Sequence, residues 1–134
     1  MARRTLRILA ASAAGIALLP VAAASAPAPP KLATSAVAGP WDERDTHLHF
    51  QVRPGATPDQ LVVTVPKHLA FPGSHDFVLT RAAPATFWVN ATDQRPGVQV
   101  AFKSPAEAEL KIAGAGHTPK GAWMMVNDFV LRRP

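Results

Sequence analysis

Two imidazoles one residue apart, in His47-Leu48-His49, are the sharpest chemical feature of this chain. On an extended strand, residues i and i+2 project to the same face about 6.6 Å apart. Rings so placed can close on one Zn or Cu ion through bonds of ~2.0–2.1 Å. Further ligands would come from His68, His75, His117 or a carboxylate, so His47, His49, His75 and His117 form the candidate metal set. The alternative is a pair of solvent-facing histidines on an edge strand. The chain has no Cys, so any metal must rest on imidazole, carboxylate or thioether. Met124-Met125 offers thioethers suited to Cu(I), but strand neighbours face opposite ways, so only one can join a given site.

The same stretch, Thr46-His47-Leu48-His49-Phe50-Gln51-Val52, resembles the His-x-His-Phe strand that supplies two iron ligands in intradiol ring-cleaving dioxygenases. That family also ligates iron through tyrosine, and this chain has no Tyr, so the activity does not carry over.

Ser74-His75-Asp76 holds the residue types of a hydrolytic triad. Adjacent residues cannot point at one another in the required relay, and no Gly-x-Ser-x-Gly elbow is present. Preceded by Pro72-Gly73, the segment reads as a turn. Paired carboxylates, a phosphate loop and a cofactor fingerprint are also missing from the sequence. The expectation is therefore a non-catalytic protein.

Trp41, Trp88 and Trp123 are the remaining candidates. An exposed indole on a β-sheet stacks on sugars and other flat or apolar ligand faces. Trp88 alternates out of phase with Phe87 and Val89, which aims it outward. Residues 122–131, with Asn127-Asp128 in mid-strand, are weakly similar to the closing strand of jelly-roll carbohydrate-binding modules. The exposed-indole reading makes Trp88 and Trp123 the candidate sugar-binding residues. Asn90-Ala91-Thr92 is a glycosylation sequon, relevant only in a host that glycosylates.

The elements that must position these groups are strands. Residues 46–53 alternate Leu48, Phe50 and Val52 against His47, His49, Gln51 and Arg53, as a half-buried strand does. Further strands are expected over residues 61–65, 76–81, 86–91, 98–103 and 122–132, with Pro and Gly between them. Residues 104–113 are ambiguous. Ser104-Pro105-Ala106-Glu107 has the form of a helix start, whereas Ala108, Leu110 and Ile112 alternate with Glu107, Glu109 and Lys111. Strand is the preferred reading and helix the alternative.

The fold class expected is all-β, a small antiparallel sandwich of about seven strands, immunoglobulin-like or jelly-roll-like. The expected core is Leu48, Phe50, Val52, Leu61, Val63, Val65, Phe77, Leu79, Phe87, Val89, Val98, Val100, Phe102, Leu110, Ile112, Val126 and Val130. The last strand is apolar on both faces, so its orientation is open.

The N-terminus reads as an address. Arg3, Arg4 and Arg7 precede an apolar run, broken at Pro20 and followed by Ala22-Ala23-Ala24. This is the pattern of a secretory signal over residues 1–24, and it places the mature protein in the periplasm or outside the cell. A membrane anchor is the alternative, but the run is short of the ~20 residues a spanning helix needs. Residues 25–40, rich in Ala, Pro and Ser, read as a disordered linker, leaving 41–134 as the folded domain.

Lys plus Arg total 14 against 9 acidic residues, a net charge of +5. Three of those cations lie in the signal, so the mature excess falls to two. No Lys/Arg cluster interleaved with aromatics remains, which argues against nucleic acid, and Arg132-Arg133 sit at a terminus expected to fray. The reading is an exported binding or accessory module. Its partner outside the cytoplasm would be a protein, a copper or zinc ion, or a carbohydrate, with no membrane span in the mature form.

Overall fold

The computed structural model describes residues 30–134. The expected signal and the first part of the expected linker lie outside those residues. A short helix α1 (Thr34–Val37) leads into eight strands: β1 (Gly39–Glu43), β2 (His49–Pro54), β3 (Gln60–Thr64), β4 (Asp76–Ala83), β5 (Thr86–Val89), β6 (Gly97–Ser104), β7 (Glu107–Thr118) and β8 (Gly121–Arg132). Each strand pairs antiparallel with the next, and β8 returns to β1. The result is a closed eight-stranded meander barrel, which corrects the expected seven-strand sandwich.

Period-two alternation describes one buried face and is the same for a sandwich and a barrel. What separates them here is β1, whose Gly39-Pro40 reads as punctuation and whose Asp42 and Glu43 read as surface. It pairs on one side through Trp41 with Phe50 and Asp42 with His49, and on the other through Glu43 with Leu131 and Asp42 with Arg132. It is the stave that closes the wall.

An eight-stranded barrel has an interior just wide enough for side chains to fill. Here the inward positions carry Trp41, Phe50, Leu61, Leu79, Phe87, Val100, Leu110, Ile112 and Leu131, each no more than 2% exposed. Ring contacts tie the staves across the lumen: Phe50 meets Phe129 at 5.2 Å between centroids, and Phe102 meets Trp41 at 5.6 Å and Phe87 at 6.2 Å. Register shifts between Arg81 and Ala83, and between Phe102 and Ser104, bend the wall as bulges do.

Most of the expected core is buried, with four exceptions. Val126 is 75% exposed, Leu48, Val89 and Val130 are only half-buried, and the inward face of β8 is Met125, Phe129 and Leu131 instead. Residues 104–113 resolve in favour of the strand, because β7 pairs along its length with β6 and β8.

One end of the barrel is plugged by residues that read as linker. Val37 of α1 is fully buried, and the Trp41 indole Nε1–H donates to its carbonyl at 2.8 Å. Two arginines strap the plug. Arg133 donates to the carbonyls of Ala38 at 2.8 Å, Ala36 at 3.0 Å and Pro105 at 3.2 Å, with its guanidinium 4.6 Å over the Trp41 ring. Arg81 donates to Leu32 O at 2.9 Å and Pro84 O at 2.6 Å, pairs with Asp59 at 2.7 Å, and lies 4.6 Å over Phe87. Lys31–Pro134 form one compact unit that takes in residues 31–40 of the expected linker, and Arg133 is anchored, not frayed. Charge-assisted bonds to carbonyls and a cation–π contact together make Arg133→Ala cost about 2 kcal/mol in urea unfolding. The same change should speed proteolysis within residues 31–38. Arg132→Ala, at an exposed side chain, is the control and should change neither.

Candidate binding surfaces

The opposite end collects the chain's histidines. His47 lies in the β1–β2 loop, His49 opens β2, His68 and His75 lie in the β3–β4 loop, and His117 lies near the end of β7. The meander brings them to one end of the barrel without gathering them at a point. The strand begins at His49. His47 precedes it at φ +59°, in the left-handed region, with its N–H bonded to Glu43 O, so same-face strand spacing does not apply to the pair. The His49 Nδ1–H donates to Asp42 Oδ1 at 2.6 Å across the β1–β2 ladder. His75 is tied into the loop: its Nε2–H donates to Leu69 O at 3.0 Å, and its ring lies 4.4 Å from that of Phe71. The backbone N–H of His117 donates to Asp93 O. Among the described residues, no three His, Asp or Glu side chains converge as a metal site would require.

The loop that carries His47 is built around Glu43, which is 5% exposed. Its Oε1 accepts the backbone N–H groups of Asp45 and Thr46, each at 2.9 Å, and the Thr46 hydroxyl at 3.0 Å. Oε2 accepts Val130 N–H at 3.2 Å. Burial alone would raise the carboxyl's pKa, but these donors outweigh it and hold it at about 2. Glu43 thus stands in for backbone at the point where β1 leaves β8.

Ser74, His75 and Asp76 form a turn. The Ser74 hydroxyl accepts Asp76 N–H at 3.0 Å, while the Asp76 carboxylate accepts the Thr64 hydroxyl at 2.5 Å and pairs with Arg53 at 3.3 Å. The Thr64 hydrogen bond, with Arg53 beside it, holds that carboxyl below its ordinary value. The three side chains form no relay.

The tryptophans divide by role. Trp41 is buried beneath the plug. Trp123 is half-buried, stacks close above Gly114, and donates its indole N–H to Asp93 O at 3.0 Å, fastening the β5–β6 loop to the long β7–β8 hairpin. Gly116 sits directly under the same loop, where an added Cβ would collide with the Asp93 carbonyl.

Trp88 is 49% exposed on the outer wall. Across the ladders its neighbours are Thr80 on β4 and Gln99 on β6, and Gln99 faces Lys111 on β7. A shallow groove of about 230 Å³ runs beside it, lined by Trp88, Asn90, Gln99 and Lys111 among others. An apolar ring thus stands beside two amides and an ammonium, all exposed. Sequence reasoning named Trp88 and missed its companions. Asn90 follows Trp88 by two residues, but Gln99 and Lys111 lie 11 and 23 residues away along the chain, and only the strand register makes them neighbours.

Among the described residues no helix is long and apolar enough to cross a membrane. Comparison with protein-family models, curated proteins and solved structures yields no match.

Proposed function

We propose that this chain is a non-catalytic binding module acting outside the cytoplasm, and that it takes a hydroxyl-rich, flat-faced ligand of the carbohydrate class at Trp88. The observation that carries the reading is the half-exposed indole beside Asn90, Gln99 and Lys111 on a barrel whose lumen is already filled. A filled lumen leaves the outer wall as the place for a ligand. An indole face covers the apolar face of a sugar ring, and flanking amides and an ammonium satisfy its hydroxyls. Supporting the export part of the reading is the basic and apolar leader pattern.

The test is a fluorescence titration of the protein with soluble oligosaccharides of differing linkage. Trp41 is buried and Trp123 is bonded to backbone, so binding should quench the solvent-exposed emission of Trp88 alone. Trp88→Ala should weaken binding at least about tenfold while leaving unfolding unchanged within about 0.5 kcal/mol. A ligand from the panel that binds the variant as tightly as the parent would contradict the assignment.

A further inference from the structure

The seam between β1 and β8 is short, and β8 continues far past it. β1 reaches only Leu131 and Arg132, and Arg44 N–H adds one bond to Val130 O at 2.8 Å. The other side of β8 is paired with β7 from end to end. Val130 turns both its N–H and its C=O toward the β1 side, to the Glu43 carboxylate and Arg44. By the two-residue period of a strand, Asp128, Val126, Met124 and Ala122 turn theirs the same way. Among the described residues, no strand pairs with that stretch.

Such an edge is a template for another strand, and proteins ordinarily guard it with a charge, a proline or a bulge. Residues 121–127, Gly-Ala-Trp-Met-Met-Val-Asn, contain no charge and no proline. The side chains standing beside the edge are Met124, 79% exposed, and Val126, 75% exposed. Charges appear only at the two limits of the stretch, Lys120 and Asp128, and neither makes an ion pair among the described residues.

We propose that this edge is a homodimer interface, in which β8 pairs antiparallel with β8 of a second copy about a two-fold axis at Met124. The argument for a second copy is the symmetry of the charges. Antiparallel pairing must set an edge-facing residue against another edge-facing residue, so the register moves only in steps that keep even-numbered residues opposed. Centring on Met124 sets Met124 against its counterpart and Ala122 against Val126, and brings Lys120, in the hairpin turn just before β8, to the level of Asp128. The two-fold repeats each cross pair, so an apolar stripe is closed at both ends by opposite charges. Centring on Val126 or Met125 instead sets Asp128 against Met124 or Ala122, and centring on Ala122 or Trp123 sets Lys120 at the level of Met124 or Val126, leaving charge on an apolar group. The surface is separate from Trp88, which stands on β5, so the two proposals stand or fall independently.

The test is sedimentation velocity of the purified chain over a broad concentration range. The expected result is a reversible monomer–dimer equilibrium at twice the protomer mass. Met124→Lys, at an exposed side chain, should abolish the dimer without shifting the thermal midpoint measured at a concentration where the parent is monomeric. Asp128→Lys should weaken it about tenfold by facing two cations, and the double exchange K120D/D128K should restore it. A monomer at every concentration overturns the proposal. So does a dimer indifferent to Met124→Lys, or one that the double exchange fails to restore. A monomer that captures some other chain through Met124 likewise overturns it, since the edge then belongs to a different partner.

Discussion

Replacing Glu43 by Gln will lower the stability of the barrel by about 2–3 kcal/mol near neutral pH, and the loss will shrink under acid. The carboxylate has four donors converging on it from Asp45, Thr46 and Val130. An amide keeps one oxygen for the Asp45 and Thr46 donors but turns an NH2 group toward Val130 N–H, donor against donor. The pH dependence follows from the sign of the shift. The folded pKa of about 2 lies below the ordinary 4.5, so the carboxylate's contribution is fully present above 4.5 and is lost as pH falls toward 2. Urea unfolding of parent and variant should therefore differ most above pH 4.5 and converge near pH 2. Parallel curves through that window would show that the anchor does not depend on charge.

The second large effect is expected at Trp41. Trp41→Ala will cost about 3–5 kcal/mol, the range for emptying a large aromatic site in a packed core. The ring is fully buried, lies against Phe102, carries Arg133 on its face and ties α1 through Val37 O. Its removal empties the space beneath the plug and unseats Arg133 at once. Trp41→Phe separates the two contributions, keeping most of the volume and losing the indole N–H. That variant should recover about half of the loss, and hydrogen exchange should open at residues 34–38 before the barrel strands. If exchange instead rises evenly over all eight strands, the plug and the barrel are one cooperative unit.

These two residues mark where the sequence was hard to read. The strands that alternate cleanly, such as Phe50-Gln51-Val52 and Ala108 to Ile112, are legible because each needs only one apolar face. β1 is not legible, because Pro40 and Glu43 carry local signals of turn and surface. Glu43 is buried only because the β1–β2 turn brings backbone N–H groups to it. The plug is further from view. Residues 34–37 have the composition of a linker, and what holds them is Arg133, some 95 residues away in sequence. In β8 both faces are apolar, so its orientation waits on closure. Once Leu131 meets Glu43 at the seam, Met125 and Phe129 go inward, and Met124 and Val126 are left outside.

The candidate sites show the same division. The alternation of Phe87, Trp88 and Val89 sends Trp88 outward, and it is exposed there. The likeness of Trp88 to Trp123 as aromatic platforms does not extend to their surroundings, because Trp123 lies on the inward side of a hairpin that outruns the barrel. His47 and His49 looked like a strand pair because the alternation of residues 46–53 extends through a turn. The left-handed backbone at His47 leaves no trace in residue type.

The most direct test of outer-wall binding at Trp88 is the set of indole N–H signals in a nitrogen-15 NMR titration with soluble oligosaccharides. The three tryptophans report three places: Trp41 beneath the plug, Trp123 at the β7–β8 hairpin, and Trp88 on the outer wall. Our account predicts that a binding sugar moves the Trp88 signal, together with the side-chain amides of Asn90 and Gln99, and leaves the Trp41 signal in place. A Trp88 signal that stays fixed across the whole panel, or a ligand that moves Trp41 first, would contradict it.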